Sequence, residues 1–230
     1  MTRAISAFIP LKGHSARVPG KNLRDFNGRP LFHRIVETLQ IADRVGTIYL
    51  DTDSADIAHS AAVLDDVIIV DRRSDLVGDK VSVNRLIRAF LETHDDADLI
   101  QTHATNPLLR AATIDTAIDA YLADSSISSL FAVTRYQARF YDENRIAINH
   151  DPAELIPTQN LDPLFMENSN FYIFSRDGFL ENDRRITEAT RMFEIDPLEA
   201  IDIDEEADFS LAAAVERALP SDRPPPAASG

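Results

Sequence analysis

Three basic residues lie close together near the start of the chain, in a loop that contains no acidic residue. They are Lys12, Arg17 and Lys21, and the segment at residues 10–22, here called the basic loop, also contains two glycines. Glycine lets backbone N–H groups approach an anion closely, while lysine and arginine supply charge-assisted hydrogen bonds. Because the whole chain has a net charge of -15, this local positive charge favours an anion site, and we expect the anion to be a triphosphate.

The basic loop has a second explanation, a solvated turn, which is the usual reason for a short cluster of charges. Its position favours the anion site. Residues 5–9 have the composition of a buried strand, and residues 30–39 carry apolar residues at helical spacing. The loop would therefore lie at the carboxyl edge of an α/β sheet, where ligands bind in open folds. The sequence contains neither G-x-x-x-x-G-K-[ST] nor G-x-G-x-x-G, so we expect a phosphate site of another kind.

A pair of carboxylates precedes the last predicted helix, in Ile201-Asp202-Ile203-Asp204. The alternation places Asp202 and Asp204 on one face of an extended segment and turns the isoleucines towards the core. Two neighbouring carboxylates repel each other unless a cation lies between them, and Mg²⁺ binds a few carboxylates together with water and phosphate. Asp204 has an alternative role as the helix N-cap, but capping leaves Asp202 unexplained. We therefore expect the two aspartates to bind Mg²⁺.

Strand-like and helix-like segments alternate through the first 134 residues. Strands are predicted at residues 5–9, 47–50, 67–70, 98–102 and 128–134. Helices are predicted at residues 30–39, 54–63, 82–93 and 113–123. Such alternation predicts an α/β fold with a doubly wound, mostly parallel sheet, completed by a strand at 170–174 and a helix at 205–218.

The segment after this alternation has a different composition. Residues 135–163 are polar, aromatic and interrupted by proline, which predicts a small inserted arm that contacts a partner. We expect residues 1–219 to form one domain that includes this arm. Residues 220–230 are rich in proline and small residues, so we expect a disordered tail there.

The composition excludes several classes of function. The chain has no cysteine, which excludes disulfides, thiolate metal sites and cysteine nucleophiles. The 38 acidic residues outnumber the 23 basic ones, which argues against nucleic acid as a partner. The first residues contain no apolar run long enough for a signal peptide or a membrane span, so we expect a cytoplasmic protein without membrane association.

Three further segments occur between the basic loop and the acidic pair. They are Asp51-Thr52-Asp53, Thr105-Asn106-Pro107-Leu108 and Glu167-Asn168-Ser169-Asn170-Phe171-Tyr172-Ile173. In order and approximate spacing, all five elements resemble the acylneuraminate (CMP-sialic acid synthetase-like) cytidylyltransferases, over nearly all of residues 5–218. The resemblance implies a nucleotide-diphospho-sugar transferase-like sheet, usually in a homodimer. It also implies an enzyme that joins CTP to a nonulosonic, sialic acid-like sugar acid and releases pyrophosphate, for cell-surface polysaccharide biosynthesis.

The resemblance implies a role for each matching residue. The anomeric hydroxyl of the sugar would attack the α-phosphate of CTP without a protein nucleophile, so catalysis would depend on alignment and charge neutralisation. The catalytic residues would be Lys21, Arg17 and Asp202, with Asp202 and Asp204 binding Mg²⁺. The nucleotide would be bound by Lys12, Gly13, Ser15, Asn22, Arg72 and Asp79. The sugar acid would be bound by His103, Thr105, Gln159 and Asn168.

Two departures from the family pattern concern the sugar acid. Where relatives commonly have Gln-Pro-Thr-Ser-Pro-Leu-Arg, this chain has His103-Ala104-Thr105-Asn106-Pro107-Leu108-Leu109, followed by Arg110. Thr158-Gln159 replaces an Arg-Gln pair, which removes a cation that could pair with a sugar carboxylate. A legionaminate-like or other 2-keto-3-deoxy sugar acid is therefore at least as good a candidate as sialic acid.

Two other functions remain open at this point. Asp51-Thr52-Asp53 after an apolar strand is similar to the nucleophile motif of haloacid dehalogenase-like phosphatases, although that function leaves the basic loop without a role. A noncatalytic nucleotide-binding or interaction protein would retain the same fold. His103 and Asn168 also have structural explanations, as a half-buried histidine and a turn cap.

Overall fold

A computed structural model of the chain describes residues 4–15 and 17–219. Its strands form one seven-stranded sheet in the order β3-β2-β1-β4-β6-β5-β7. The strands are β1 Ile5–Leu11, β2 Val45–Thr52, β3 Val67–Asp71, β4 Asp98–Thr102, β5 Ser129–Tyr136, β6 Leu164–Ser175 and β7 Thr190–Glu194. Only β6 runs antiparallel to its neighbours, β4 and β5. The predicted mostly parallel sheet is confirmed.

Helices cover both faces of the sheet, as a doubly wound fold requires. They are α1 Leu31–Gln40, α2 Ala55–Ala61, α3 Val83–Leu91, α4 Ala111–Leu122, α5 Arg176–Asn182 and α6 Glu206–Ala218. Apolar residues of α1, α2 and α4 pack on one face, and those of α3 and α5 pack on the other. Short 3₁₀ helices occur at Lys21–Leu23, Ser74–Leu76 and Thr158–Asn160. None of the helices in the described part of the chain is long and apolar enough to cross a bilayer.

The first strand shows why these segments were recognisable in the sequence. Successive side chains of a strand point to opposite faces, so a strand covered on both sides is apolar throughout. Ala7 and Ile9 enter the core beneath α1 and α4, whereas Phe8 enters the core beneath α3. There the ring of Phe8 lies 4.8 Å from that of Phe90, measured between centroids.

The structure differs from the sequence prediction near the carboxyl terminus. Strand β6 begins at Leu164, six residues before the predicted start, because its first half is exposed and carries no burial pattern. Ser169 interrupts β6 with a backbone φ of 58°. The sequence analysis missed α5 and β7. The predicted arm corresponds to residues 137–163 between β5 and β6, and the predicted tail lies outside the described residues.

Candidate active site

A cavity of about 390 Å³ opens at the carboxyl edge of the sheet, where β1 and β4 lie side by side. The strand order reverses at this point, which is where ligands bind in open α/β sheets. Nine of the predicted site residues line the cavity, seven of them predicted to bind nucleotide or sugar and two, Arg17 and Lys21, predicted to be catalytic: Lys12, Ser15, Arg17, Lys21, Asn22, Arg72, Asp79, His103 and Thr105. Apolar side chains complete the lining, among them Val81, Val83 and Leu86.

The basic loop is held in shape by contacts with the chain around it. The Gly13 N–H donates a hydrogen bond to Asp53 Oδ1 at 2.8 Å, and the Asn22 side chain donates to the Lys12 carbonyl at 3.0 Å. A Cβ atom at Gly13 would lie 2.8 Å from Cβ of Ser54, so this close approach requires glycine. Gly13 therefore supports the loop and is not among the residues that line the cavity.

Arg72 ties the carboxyl ends of β1 and β2 together. Its side chain is 1 % exposed, its Nε donates to Asp51 Oδ1 at 2.6 Å, and its Nη2 donates to the Leu11 carbonyl at 3.0 Å. Its Nη1 lies 3.4 Å from Asp53 Oδ2. Burial raises the pKa of Asp51, and the charge of Arg72 opposes that shift. A buried, paired Asp51 serves the architecture of the site, which argues against the phosphatase alternative because that function needs an accessible nucleophile.

We expect Arg72→Met to lower the free energy of unfolding by about 3–5 kcal/mol at pH 7, because it leaves the Asp51 carboxylate buried without its partner. Denaturant titration measures this loss. The loss should shrink as the pH falls and Asp51 becomes protonated, since the neutral carboxyl needs no cation. The matched control is Arg73→Met, whose ion pair with Asp75 is exposed and should contribute little. Equal stability of the two variants would contradict this structural role.

The acidic pair lies against the basic loop. Asp204 Oδ1 accepts a hydrogen bond from Arg17 Nη2 at 2.6 Å, and Lys21 Nζ donates to the Ile203 carbonyl at 2.5 Å. Ile203 is fully buried, and its N–H donates to the Thr105 carbonyl at 2.9 Å. The two motifs that the sequence places about 180 residues apart therefore meet at one end of the sheet.

The alternative role of Asp204 as the N-cap of α6 is wrong. Glu205 is the N-cap, and its side chain forms a reciprocal capping box with Asp208. The Asp208 carboxylate accepts the N–H of Asp204 at 3.1 Å. The Asp204 carboxylate therefore does not cap α6, and it accepts a hydrogen bond from Arg17 instead.

The donor groups of Asp202 and Asp204 suit a hard cation. Asp202 Oδ1 is buried and accepts no hydrogen bond of ordinary geometry, while Oδ2 lies 3.5 Å from the Ser169 hydroxyl. Burial raises the pKa of Asp202, and the neighbouring Asp204 raises it further. Within the described residues no group of three or more potential ligands is arranged as a metal site. The pair fits Mg²⁺, which characteristically takes one or two carboxylates and completes its shell with water and phosphate oxygens.

His103 follows β4 directly and lines the cavity. Burial lowers its pKa to about 4, and the positive charges of Arg185 and Lys21 add to the effect. The imidazole is therefore neutral at pH 7, with one nitrogen that donates and one that accepts a hydrogen bond.

The other two residues predicted to bind the sugar acid lie elsewhere. Asn168 is buried in β6, where its amide donates to the Thr134 hydroxyl at 3.1 Å. Gln159 is exposed in the arm, within Thr158–Asn160. The structure brings neither to the cavity, and their contact with a sugar acid stays a prediction. At the first departure from the family pattern, Leu109 is buried in the core and Arg110 pairs with Glu199 at 2.5 Å.

A polar cluster next to His103 was missed by the sequence analysis. The Arg185 guanidinium lies 3.7 Å from the centre of the Tyr172 ring and donates a hydrogen bond to Gln101 Oε1. The Tyr172 hydroxyl donates to Glu167. Arg185 lies between α5 and β7, two elements without a sequence signal, so only the folded chain reveals this grouping.

Comparison with known proteins gives relatives across nearly the whole chain. A pseudaminic acid cytidylyltransferase from Campylobacter jejuni is 25% identical over 215 residues, which is 89% of this chain and 92% of the relative. A CMP-N,N'-diacetyllegionaminic acid synthase from Legionella pneumophila is 27% identical over 218 residues, which is 90% and 94% of the two chains.

A solved structure shares the fold. It is a CMP:2-keto-3-deoxy-manno-octonic acid synthetase complexed with CTP, with a TM-score of 0.69 and 15% sequence identity. The match covers 94% of this chain and 99% of that one. Because the sequence identity is low, this structural similarity supports the fold assignment and nothing further.

A family model described as cytidylyltransferase matches residues 6–218. This match extends from the first strand to the end of α6, so it includes both the basic loop and the acidic pair. It confirms the resemblance that the sequence motifs indicated. The chain belongs to the cytidylyltransferase family.

Proposed function

We propose that this cytidylyltransferase transfers CMP from CTP to a nonulosonic acid, with release of pyrophosphate. The observation that carries the proposal is the meeting of the basic loop and the acidic pair beside one cavity, through Arg17–Asp204 and Lys21–Ile203. Cations for a triphosphate and carboxylates for its counter-ion are then in one place. The relatives named above for pseudaminic and legionaminic acid support this substrate class.

In this proposal one part of the cavity binds the triphosphate of CTP and another part binds its base. Lys12, Arg17 and Lys21 bind the triphosphate, because they line the cavity and supply three cations from one loop. Arg17 and Lys12 are partly exposed, so their side chains can turn from Asp204 and Asp79 towards phosphate oxygens. The base packs against an apolar wall, which in this cavity includes Val81, Val83 and Leu86.

The reaction is a substitution at phosphorus. The sugar hydroxyl oxygen forms a bond to the α-phosphorus, the bond from that phosphorus to the bridging oxygen of the β-phosphate breaks, and pyrophosphate leaves. The hydroxyl proton is released to solvent. The protein contributes alignment of the hydroxyl with the phosphorus and positive charge around the leaving pyrophosphate. Lys21 and Arg17 supply that charge in this proposal.

Asp202 and Asp204 would hold Mg²⁺ through the buried Oδ1 of Asp202 and the carboxylate that now faces Arg17. When bound, the metal would neutralise phosphate charge during the substitution. Arg17 would then exchange its contact with Asp204 for one with phosphate, which keeps the charges of the site balanced.

A pyrophosphate-release screen tests the proposed function. The protein is incubated with CTP, Mg²⁺ and a panel of sialic, legionaminic, pseudaminic, Kdn and Kdo-type acids, and in parallel with p-nitrophenyl phosphate. We expect CTP-dependent pyrophosphate release with at least one sugar acid and no phosphatase activity. Phosphatase activity alone would support the haloacid dehalogenase-like alternative. Nucleotide binding without turnover of any sugar acid would support the noncatalytic one.

We propose further that the arm at residues 137–163 forms a homodimer contact. It exposes several apolar side chains: Tyr141, Ile146, Ile148 and Leu155, the last of which is 83 % exposed. Clustered exposed apolar residues are typical of protein interfaces.

The proposed dimer contact predicts the molar mass of the protein in solution. Light scattering at micromolar concentration should give twice the chain mass for the wild type, and Leu155→Asp should shift the protein towards monomer because it places a charge in the apolar contact. Val63→Asp is the matched control, since Val63 is 77 % exposed in the α2–β3 connection and outside the arm. A monomeric wild type would refute the dimer contact.

A further inference from the structure

Arg185 is a half-buried cation with no carboxylate in direct contact among the described residues. Its guanidinium is half-buried, stacks on the Tyr172 ring at 3.7 Å and donates a hydrogen bond to Gln101, which is fully buried. Burial lowers its pKa. Across residues 4–15 and 17–219 it forms no direct ion pair with a carboxylate, although the Glu167 carboxylate lies near enough to oppose the lowering of its pKa. A half-buried guanidinium without a carboxylate in direct contact can pair with the anionic group of a ligand.

The cations on the other side of the cavity already form ion pairs or hydrogen bonds within the protein. Lys12 lies 3.7 Å from Asp79, Arg17 pairs with Asp204, and Arg72 pairs with Asp51. Lys21 donates to the Ile203 carbonyl beside the acidic pair. In the proposed function Lys12, Arg17 and Lys21 bind the triphosphate, while Arg72 holds the ends of β1 and β2 together. Neither role accounts for Arg185.

Its position adjoins the cavity. Gln101 lies in β4, and His103 directly follows the end of that strand and lines the cavity. Arg185 is not itself among the lining residues, so its link to the cavity is through His103. Both Arg185 and Lys21 lower the pKa of His103, so both charges lie near the imidazole. Arg185 stacks on Tyr172 of β6, while Lys21 follows β1, and β4 lies between those two strands. His103 thus borders a phosphate side and a second, cationic side.

We propose that Arg185 binds the carboxylate of the sugar acid. This assignment rests on the proposed function and deepens it. The planar guanidinium can donate two parallel hydrogen bonds to a carboxylate, a geometry that lysine cannot reproduce. Gln101 and Tyr172 are positioning residues, because one fixes an N–H of the guanidinium and the other supports its plane.

In the proposed substrate, a cation that binds the carboxylate also positions the attacking hydroxyl. A 2-keto-3-deoxy sugar acid carries its carboxylate on the anomeric carbon, directly beside the hydroxyl that attacks phosphorus. A cation that fixes the carboxylate therefore also fixes the hydroxyl, with His103 between it and the triphosphate side. The site would select sugars with a carboxylate at the anomeric carbon and reject simple aldoses.

The first test compares the effect of one substitution on the KM for the sugar acid and on the KM for CTP. We expect Arg185→Gln to raise the KM for the sugar acid on the order of 100-fold and to leave the KM for CTP within about 2-fold, because a charge-paired contact to one substrate alone is lost. The sugar acid used is the best substrate of the panel. Arg184→Gln is the matched control, since Arg184 is exposed and pairs with Glu188 on the surface. That control should leave both KM values unchanged.

A second variant places a carboxylate in the subsite instead of removing the cation. Gln101→Glu keeps the side-chain size and puts an acid against the Arg185 guanidinium, where it would compete with the substrate carboxylate. Glu also loses the hydrogen bond that the Gln101 amide donates to the Thr102 carbonyl, so folding is checked first by circular dichroism. We expect a folded protein with a sugar acid KM raised on the order of 100-fold. This variant decides the question if Arg185→Gln fails to fold.

The C1 methyl ester of the same sugar acid completes the experiment. The wild type should use the ester on the order of 100-fold less efficiently than the acid, whereas Arg185→Gln should no longer distinguish them. A wild type that turns over none of the sugar acids would contradict the proposed function, and this subsite with it. Turnover of the acid with an unchanged sugar acid KM in Arg185→Gln, or in a folded Gln101→Glu, would overturn the subsite alone.

Discussion

Asp202→Asn is expected to lower Mg²⁺-dependent turnover of CTP by about 1,000-fold or more, because an amide cannot supply the anionic oxygen that a hard cation requires. In the structure, Asp202 Oδ1 is buried without a hydrogen bond of ordinary geometry, next to Asp204. The Thr105 and Ser169 side chains interact with the Asp202 carboxylate, and the carbonyl oxygen of asparagine can still accept such a hydrogen bond. The substitution should therefore affect catalysis far more than folding.

The stability of Asp202→Asn provides the second measurement. Burial raises the pKa of Asp202 above its ordinary value, so the ionised carboxylate destabilises the folded protein at pH values above that raised pKa. Asparagine removes this cost, and the metal-free variant should melt at the same or a higher temperature at pH 7. The difference should vanish when the pH is low enough to protonate Asp202 in both the folded and the unfolded states.

The control is an aspartate outside the site. Asp196 is exposed and accepts the N–H of Leu198, a contact that asparagine can keep. Asp196→Asn should change neither turnover nor melting temperature. If Asp202→Asn retains wild-type turnover, the metal role of the acidic pair is excluded.

The central strands and the two charged motifs were the parts that sequence could predict. Strands such as β1 are buried on both faces, so their composition alone identifies them. The basic loop and the acidic pair were recognisable because their residue types and spacing differ from the surrounding chain. Their contact across about 180 residues is visible only in the structure, because residues 201–204 lie outside the strands and no local pattern places them against the basic loop.

The remaining features depend on tertiary contacts that leave no local pattern. Strand β7 is half exposed at the sheet edge, and Arg185 lies just before it in a connection without periodicity. Asn168 is buried and its amide donates to Thr134, a setting that the linear motif did not indicate, and its contact with a sugar acid stays a prediction. Arg72 lines the cavity as predicted, and its buried contacts with Asp51 and Leu11 add a structural role that the sequence did not indicate.

Lys21→Ala is expected to reduce kcat/KM for CTP by about 100- to 1,000-fold, because in the proposed reaction Lys21 supplies a fixed cation where phosphate charge develops. Lys21 begins the 3₁₀ helix Lys21–Leu23, and its Nζ donates to the Ile203 carbonyl at 2.5 Å. Burial lowers its pKa, while Asp202 and Asp204 raise it. A bound triphosphate adds negative charge that favours the same charged form.

Folding of Lys21→Ala should survive, since the lost hydrogen bond contributes about 1 kcal/mol and the ammonium no longer has to be desolvated. The variant also changes a neighbour: without the charge of Lys21, the pKa of His103 should rise from its low value of about 4, which an NMR titration of the imidazole measures. Lys80→Ala is the matched control, because Lys80 is exposed and is not among the cavity residues. A folded Lys21→Ala with a raised His103 pKa but normal CTP turnover would show that Lys21 lies where the structure places it and does not bind phosphate, and the basic loop would then be a structural turn.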